Sequence, residues 1–180
     1  MDKGLIPRRY AKALLEVAQD KGLAAEIYSL MQALSRAFDA EPALQTTLAN
    51  PFVSDADKEA LLLAATGDAG AAKDLFSDYL ALLARNGRLD IARGVALSYI
   101  DQYRGENDIY SVEVESAAAL SDESRQRIKE LIAKHVGKGT LECTFRVEPS
   151  LIGGFRVKVG SERLDASIAS QLSQLRLDMA

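Results

Sequence analysis

At Gly105 the spacing of apolar residues changes, from recurrence every three or four positions to alternation at every second one. A helix gathers residues about 3.6 apart onto one face, and a strand gathers every second residue. A chain that switches period part-way is therefore neither all-helical nor all-β. The switch predicts an α+β protein in two domains, with its boundary near Gly105–Asp108. Residues 1–105 are expected to form an N-terminal six-helix bundle. Residues 106–180 are expected to form a smaller β-α-β-β-(β)-α domain.

The helical half can be read turn by turn. Tyr10 to Gln19 carries apolar residues at helical spacing and stops before Lys21 and Gly22. Ile27, Leu30, Met31, Leu34, Ala37 and Phe38 then mark one face of a second helix. Pro42 suits the first turn of a short third helix ending near Leu48, and Asn50-Pro51 breaks it, because a residue before proline avoids the α region. Ser54 is placed to cap a fourth helix, with Asp55 and Asp57 at its positive end. A fifth runs from Ala71 to Arg85 and closes at Asn86-Gly87, where glycine can take the left-handed cap. Leu89, Ala92, Val95, Ala96, Tyr99 and Tyr103 mark the sixth, running to about Gly105.

In the second half Tyr110, Val112 and Val114 alternate with polar residues as a strand does. Ser121 caps a predicted helix through Val136, with Ile128, Leu131, Ile132 and His135 on one face. Leu141, Cys143, Phe145 and Val147 define a second strand, and Phe155, Val157 and Val159 a third. Gly160 to Arg163 is expected to turn the chain. Ser167 is expected to cap a last helix with Ile168, Leu172 and Leu175 on its buried side.

Charge and composition exclude several classes of function. The chain carries 22 cationic against 26 anionic side chains, for a net charge of −4. Up to Gly105 the counts are 12 and 14, and beyond it 10 and 12. Neither half has the basic footprint that phosphate-backbone binding requires. One cysteine permits no internal disulfide. The N-terminal segment lacks the apolar core of a secretory signal, and no apolar run approaches the ~20 residues needed to span a bilayer. A soluble protein, reaching membranes only through a partner, is the expectation.

Side chains suited to catalysis or metal binding are few. His135 is the single histidine, which rules out a His-rich metal site and leaves no spare base for a nucleophile. Cys143 alternates with apolar neighbours and reads as a small buried hydrophobe. Gly153 and Gly154 lack the spacing of a phosphate loop and lead into a strand pattern, so a bulge or close backbone approach fits them better. Glu113 and Glu115 share a strand face, which reads as solvated rather than as a general acid and base. No catalytic residue, cofactor site or metal site is expected.

Apolar surface, by contrast, is in excess. On a wheel of 100° per residue, Ile6, Tyr10, Ala13 and Val17 cluster on one side of the first helix, and Ala11, Leu14, Leu15 and Ala18 extend the arc to roughly half the circumference. The fifth helix has two stripes: Leu75, Tyr79 and Leu82, and beside them Phe76, Leu80 and Leu83. Either these two helices are more buried than their neighbours, or one stripe of each faces a partner helix laid into a groove.

Five segments, in order along the chain, resemble the delta subunit of F-type ATP synthases, the family called oligomycin-sensitivity-conferral protein in mitochondria. They are Arg9-Tyr-Ala-Lys-Ala13-Leu, Asn50-Pro51, Leu83-Ala-Arg-Asn-Gly-Arg-Leu89, Val114-Glu-Ser-Ala-Ala-Ala-Leu-Ser121 and Pro149-Ser-Leu-Ile-Gly-Gly-Phe155, the last followed by Gly160 and Asp165. The resemblance implies a non-catalytic stator subunit linking the catalytic head to the peripheral stalk. It implies that Tyr10, Ala13, Tyr79 and Leu82 line a groove for the N-terminal helix of an alpha subunit, with the two tyrosines as anchors. It implies that the C-terminal domain meets b-type stalk subunits. It places the protein at the cytoplasmic face of a bacterial plasma membrane, held there by the complex. Two other readings stay open at this point: an unrelated helical adaptor, and an enzyme with a phosphate site at Gly153 and Gly154.

Overall fold

The computed structural model describes residues 4–67, 70–151 and 154–159, and the backbone of 162–167. The chain folds as two compact units, Met1–Gly105 and Glu106–Ala180. The fold is α+β.

The first unit holds α1 (Leu5–Asp20), α2 (Ala24–Ala40), α3 (Ala43–Ala49), α4 (Asp55–Thr66), α5 (Lys73–Arg85) and α6 (Ala92–Glu106). Single 3-10 turns at Gly70–Ala72 and Leu89–Ile91 lead into α5 and α6. Local chemistry sets most of the ends. The Ser54 hydroxyl accepts from the Asp57 N–H at 3.2 Å, satisfying one of the orphan donors of α4. Asn50 is extended, and its side-chain oxygen accepts from the Phe52 N–H at 2.9 Å, which turns the chain after α3. Gly87 takes φ +61°, a left-handed conformation that closes α5 and that a Cβ would strain. α1 begins five residues before Tyr10, at Leu5, because Pro7 is tolerated in a first turn.

One core joins all six helices. Leu14 and Leu15 of α1, Ile27, Met31 and Leu34 of α2, Leu48 of α3, Leu62 of α4, Phe76 and Leu83 of α5 and Val95 and Tyr99 of α6 are buried together. Polar tips inside it are satisfied: the Tyr99 hydroxyl donates to the Ala24 carbonyl at 3.1 Å, and Arg104 donates to the Tyr28 hydroxyl at 2.9 Å.

The second unit holds β1 (Ile109–Ser116), α7 (Asp122–Val136), β2 (Thr140–Val147), β3 (Gly154–Val159) and β4 (Glu162–Ser167), in the sheet order β2-β1-β3-β4. β1 and β2 are parallel and joined through α7; β1–β3 and β3–β4 are antiparallel. Val112 and Val114 of β1, Val157 of β3, and Ile128 and Ile132 of α7 form its small core.

Here several sequence expectations need correction. Leu131 is 62% exposed rather than buried with Ile128 and Ile132. It lies 60° off Ile128 on the side away from Ile132, and a helix resting on one sheet covers only a narrow stripe. Val147, at the end of β2, is 53% exposed, and Tyr110 is also exposed. Arg163 belongs to β4 instead of the turn before it, and Ser167 ends that strand. The expected last helix with Ile168, Leu172 and Leu175, the His135 side chain and Gly153 lie outside the described residues.

Candidate functional site: a groove between α1 and α5

The two stripes of each over-wide helix part company in the fold. On α5, Phe76, Leu80 and Leu83 are each 1% exposed and belong to the core. The stripe beside them turns toward α1, where Leu75, Tyr79 and Leu82, with Asp78 at the edge, form one wall of an open groove of about 410 Å³. The facing wall is Tyr10, Ala13, Leu14 and Val17, with Arg9 at the edge. On α1 it is Ala11, Leu15 and Ala18 that go inward.

All four residues proposed from the sequence, Tyr10, Ala13, Tyr79 and Leu82, thus lie in one concavity. Their exposure is unequal. Leu82 and Val17 stand open at 46% and 43%, Tyr10 is half-buried, and Tyr79 and Leu75 form a floor at 7% each. Ile6, one turn before Tyr10, is exposed and lies outside the groove lining. Sequence reasoning missed the charged edge. Arg9 and Asp78 each directly precede a groove tyrosine, so a 100° step from the tyrosine would have placed them at the rim. Arg88 of the Asn86-Gly87-Arg88 turn lies 5.9 Å from the centre of the Tyr10 ring, a cation–π contact that ties the turn after α5 to α1.

The groove floor has one electrostatic peculiarity. The Tyr79 hydroxyl is buried with no hydrogen-bond partner among the described residues. Such an orphan costs about 1–3 kcal/mol. Burial, and secondarily the Tyr10 phenol, push the Tyr79 phenol far above its ordinary value of 10.0. Above pH 10 the unfolded chain ionises this tyrosine and the folded one does not, so the unfolded state binds fewer protons and stability is lost as pH rises. One proton is worth about 1.4 kcal/mol per pH unit. Thermal melts are therefore expected to show a steeper fall above about pH 10 for the wild type than for Tyr79→Phe. Parallel alkaline curves for the two proteins would contradict this account of the floor.

The other candidates behave as structural groups. Glu113 pairs with Arg146 at 3.4 Å and Glu115 with Arg156 at 3.1 Å, across the polar face of the sheet. Burial pushes the half-buried Cys143 thiol up, against a smaller downward pull from Lys129, which disfavours the thiolate a nucleophile needs. Gly154 opens β3 at φ +79°, so a strand follows it where a phosphate loop needs a helix N-terminus. Among the described residues no group of three or more His, Cys, Asp or Glu is placed to hold a metal, and no helix is long and apolar enough to cross a membrane.

The family model described as "ATP synthase delta (OSCP) subunit" matches residues 6–179, nearly the whole chain. The chain belongs to the ATP synthase delta (OSCP) subunit family. Among curated relatives, the ATP synthase subunit delta of Parabacteroides distasonis is 39% identical over 176 residues, covering 98% of this chain and 96% of that one. Its counterpart in Bacteroides thetaiotaomicron is 35% identical, covering 98% and 94%. Among solved structures, a chain of the Toxoplasma gondii mitochondrial ATP synthase hexamer superposes with a TM-score of 0.70 at 20% identity, covering 96% of each. At that identity the likeness is one of fold. In this delta (OSCP) chain, the RYAKA segment of α1 and the turn after α5, which carry the resemblance in sequence, meet at the head of the groove.

Proposed function

We infer that this chain, a delta (OSCP) subunit and so a stator subunit of the F-type ATP synthase, acts as a non-catalytic joint between the catalytic head and the peripheral stalk. The groove between α1 and α5 takes the amphipathic N-terminal helix of an alpha subunit. The second unit attaches to the b-type stalk subunits. The complex holds the chain at the cytoplasmic face of a bacterial plasma membrane. Rotation of the central shaft pulls the head around with it, and a joint that holds the head still lets that rotation do chemical work instead.

The observation that carries this reading is an open apolar groove between the two helices whose apolar arcs are wider than one core needs. An amphipathic helix fills such a concavity with side chains at i, i+3, i+4 and i+7. Each large side chain fully buried there contributes about 1.5–3 kcal/mol before association costs. A joint under torque needs slow dissociation, and interface quality acts mainly on that rate. Arg9 and Asp78 offer one charge of each sign at the edge, suited to orienting a helix with charged flanks.

Co-purification tests it. Full-length protein is expected to retain the alpha subunit and the b-type subunits in separate trials, and to bind a peptide of the alpha N-terminal segment saturably. Folded protein that binds neither the peptide nor the alpha subunit would exclude the groove as the head contact.

A further inference from the structure

An apolar helix in an apolar groove gives no reason for a tyrosine at position 79. Phenylalanine has nearly the same shape and would leave no polar atom stranded. The other buried phenols of the bundle are paired: Tyr99 donates to Ala24, and Tyr28 accepts from Arg104. The orphan hydroxyl among the described residues belongs to a side chain that lines the groove, and that side chain is 93% buried, as its 7% exposure implies. It sits between Leu75 and Leu82 along the wall, at the centre of the α5 stripe.

We propose that the Tyr79 hydroxyl is the polar recognition point of this groove, unpaired in the free protein and donating a hydrogen bond to one acceptor side chain set within the apolar face of the docked alpha-subunit helix. The proposal rests on the groove reading above. A docked helix satisfies its own backbone along its length, so the acceptor must be a side chain: a hydroxyl, a carboxamide or a carboxylate. The phenol stays protonated throughout the physiological range and so keeps a proton to donate. Tyr10, half-buried, lines the same groove and is close enough to act on the Tyr79 phenol electrostatically. A helix with only apolar residues at that place leaves the hydroxyl stranded in a still drier site, whereas a helix with an acceptor there relieves it. That difference discriminates between partners of equal hydrophobicity.

The test uses full-length wild type and Tyr79→Phe, titrated by calorimetry with a peptide of the alpha N-terminal segment, with thermal melts of each protein alone. Tyr79→Phe is expected to bind about tenfold more weakly while melting at the same temperature as wild type, or higher. Equal or tighter binding by Tyr79→Phe would overturn the role of the hydroxyl and leave the groove reading standing. Weaker binding together with a lower melting temperature would also overturn it, by showing that the hydroxyl supports the fold. Absence of saturable binding by wild type removes the groove reading, and this proposal with it.

Discussion

Leu82→Asp is expected to lower affinity for an alpha N-terminal peptide by about a hundredfold, or about 2.7 kcal/mol. Leu82 stands 46% exposed on the α5 wall of the groove. The substitution removes roughly half a leucine's worth of burial and sets an unpaired carboxylate against the incoming apolar face, and each effect costs about 1 kcal/mol or more. The fold loses little, because no core contact depends on the outer half of the side chain. Leu82 lies in the last turn of α5, whose negative end disfavours aspartate, so a small loss of about 0.5–1 kcal/mol is expected on that account. Leu82→Lys, which the same dipole favours, separates the two effects: it is expected to impair binding without that loss. Unchanged affinity in both variants would remove Leu82 from the contact, and a collapse of the melting transition would make it a core residue.

Phe76→Ala, on the neighbouring core-facing stripe of the same helix, is expected to act on the fold first. Phe76 is 1% exposed and among the largest fully buried side chains of the protein. Emptying such a site costs about 3–5 kcal/mol, a large part of the roughly 5–15 kcal/mol that holds a domain folded. At about 4–8 °C per kcal/mol for a unit near 100 residues, the melting transition of this unit should fall by roughly 12–40 °C. Helical circular dichroism during heating reads this directly. A drop of only a few degrees would mean that the core closes over the gap, or that Phe76 is less central than its burial implies. The two substitutions stand six residues apart and should separate binding from stability.

Much of the fold is written in short-range chemistry. Ser54 and Ser121 cap α4 and α7, each accepting a backbone N–H three residues on, at 3.2 Å and 3.3 Å. Asn50-Pro51 and Asn86-Gly87 end helices through φ and ψ preferences that depend on one or two residues. Strand alternation placed Val112, Val114 and Val157 correctly in the second core. It failed for Val147 and Tyr110, because inward placement at the end of a strand needs something on the other side to pack against. Leu131 failed for a similar reason: its spacing is apolar and helical, but α7 meets only a narrow part of the sheet.

The groove divides along the same line. Residue spacing alone singled out α1 and α5, since an apolar arc wider than one contact face is a property of a helix and its own side chains. It also supplied Tyr10, Ala13, Tyr79 and Leu82, with the family resemblance choosing among them. Nothing local could say which stripe of α5 becomes core, or that the Tyr79 hydroxyl is left without a partner. Those facts depend on where other helices lie, on contacts between residues about seventy apart in the chain, and they exist only once the bundle has closed.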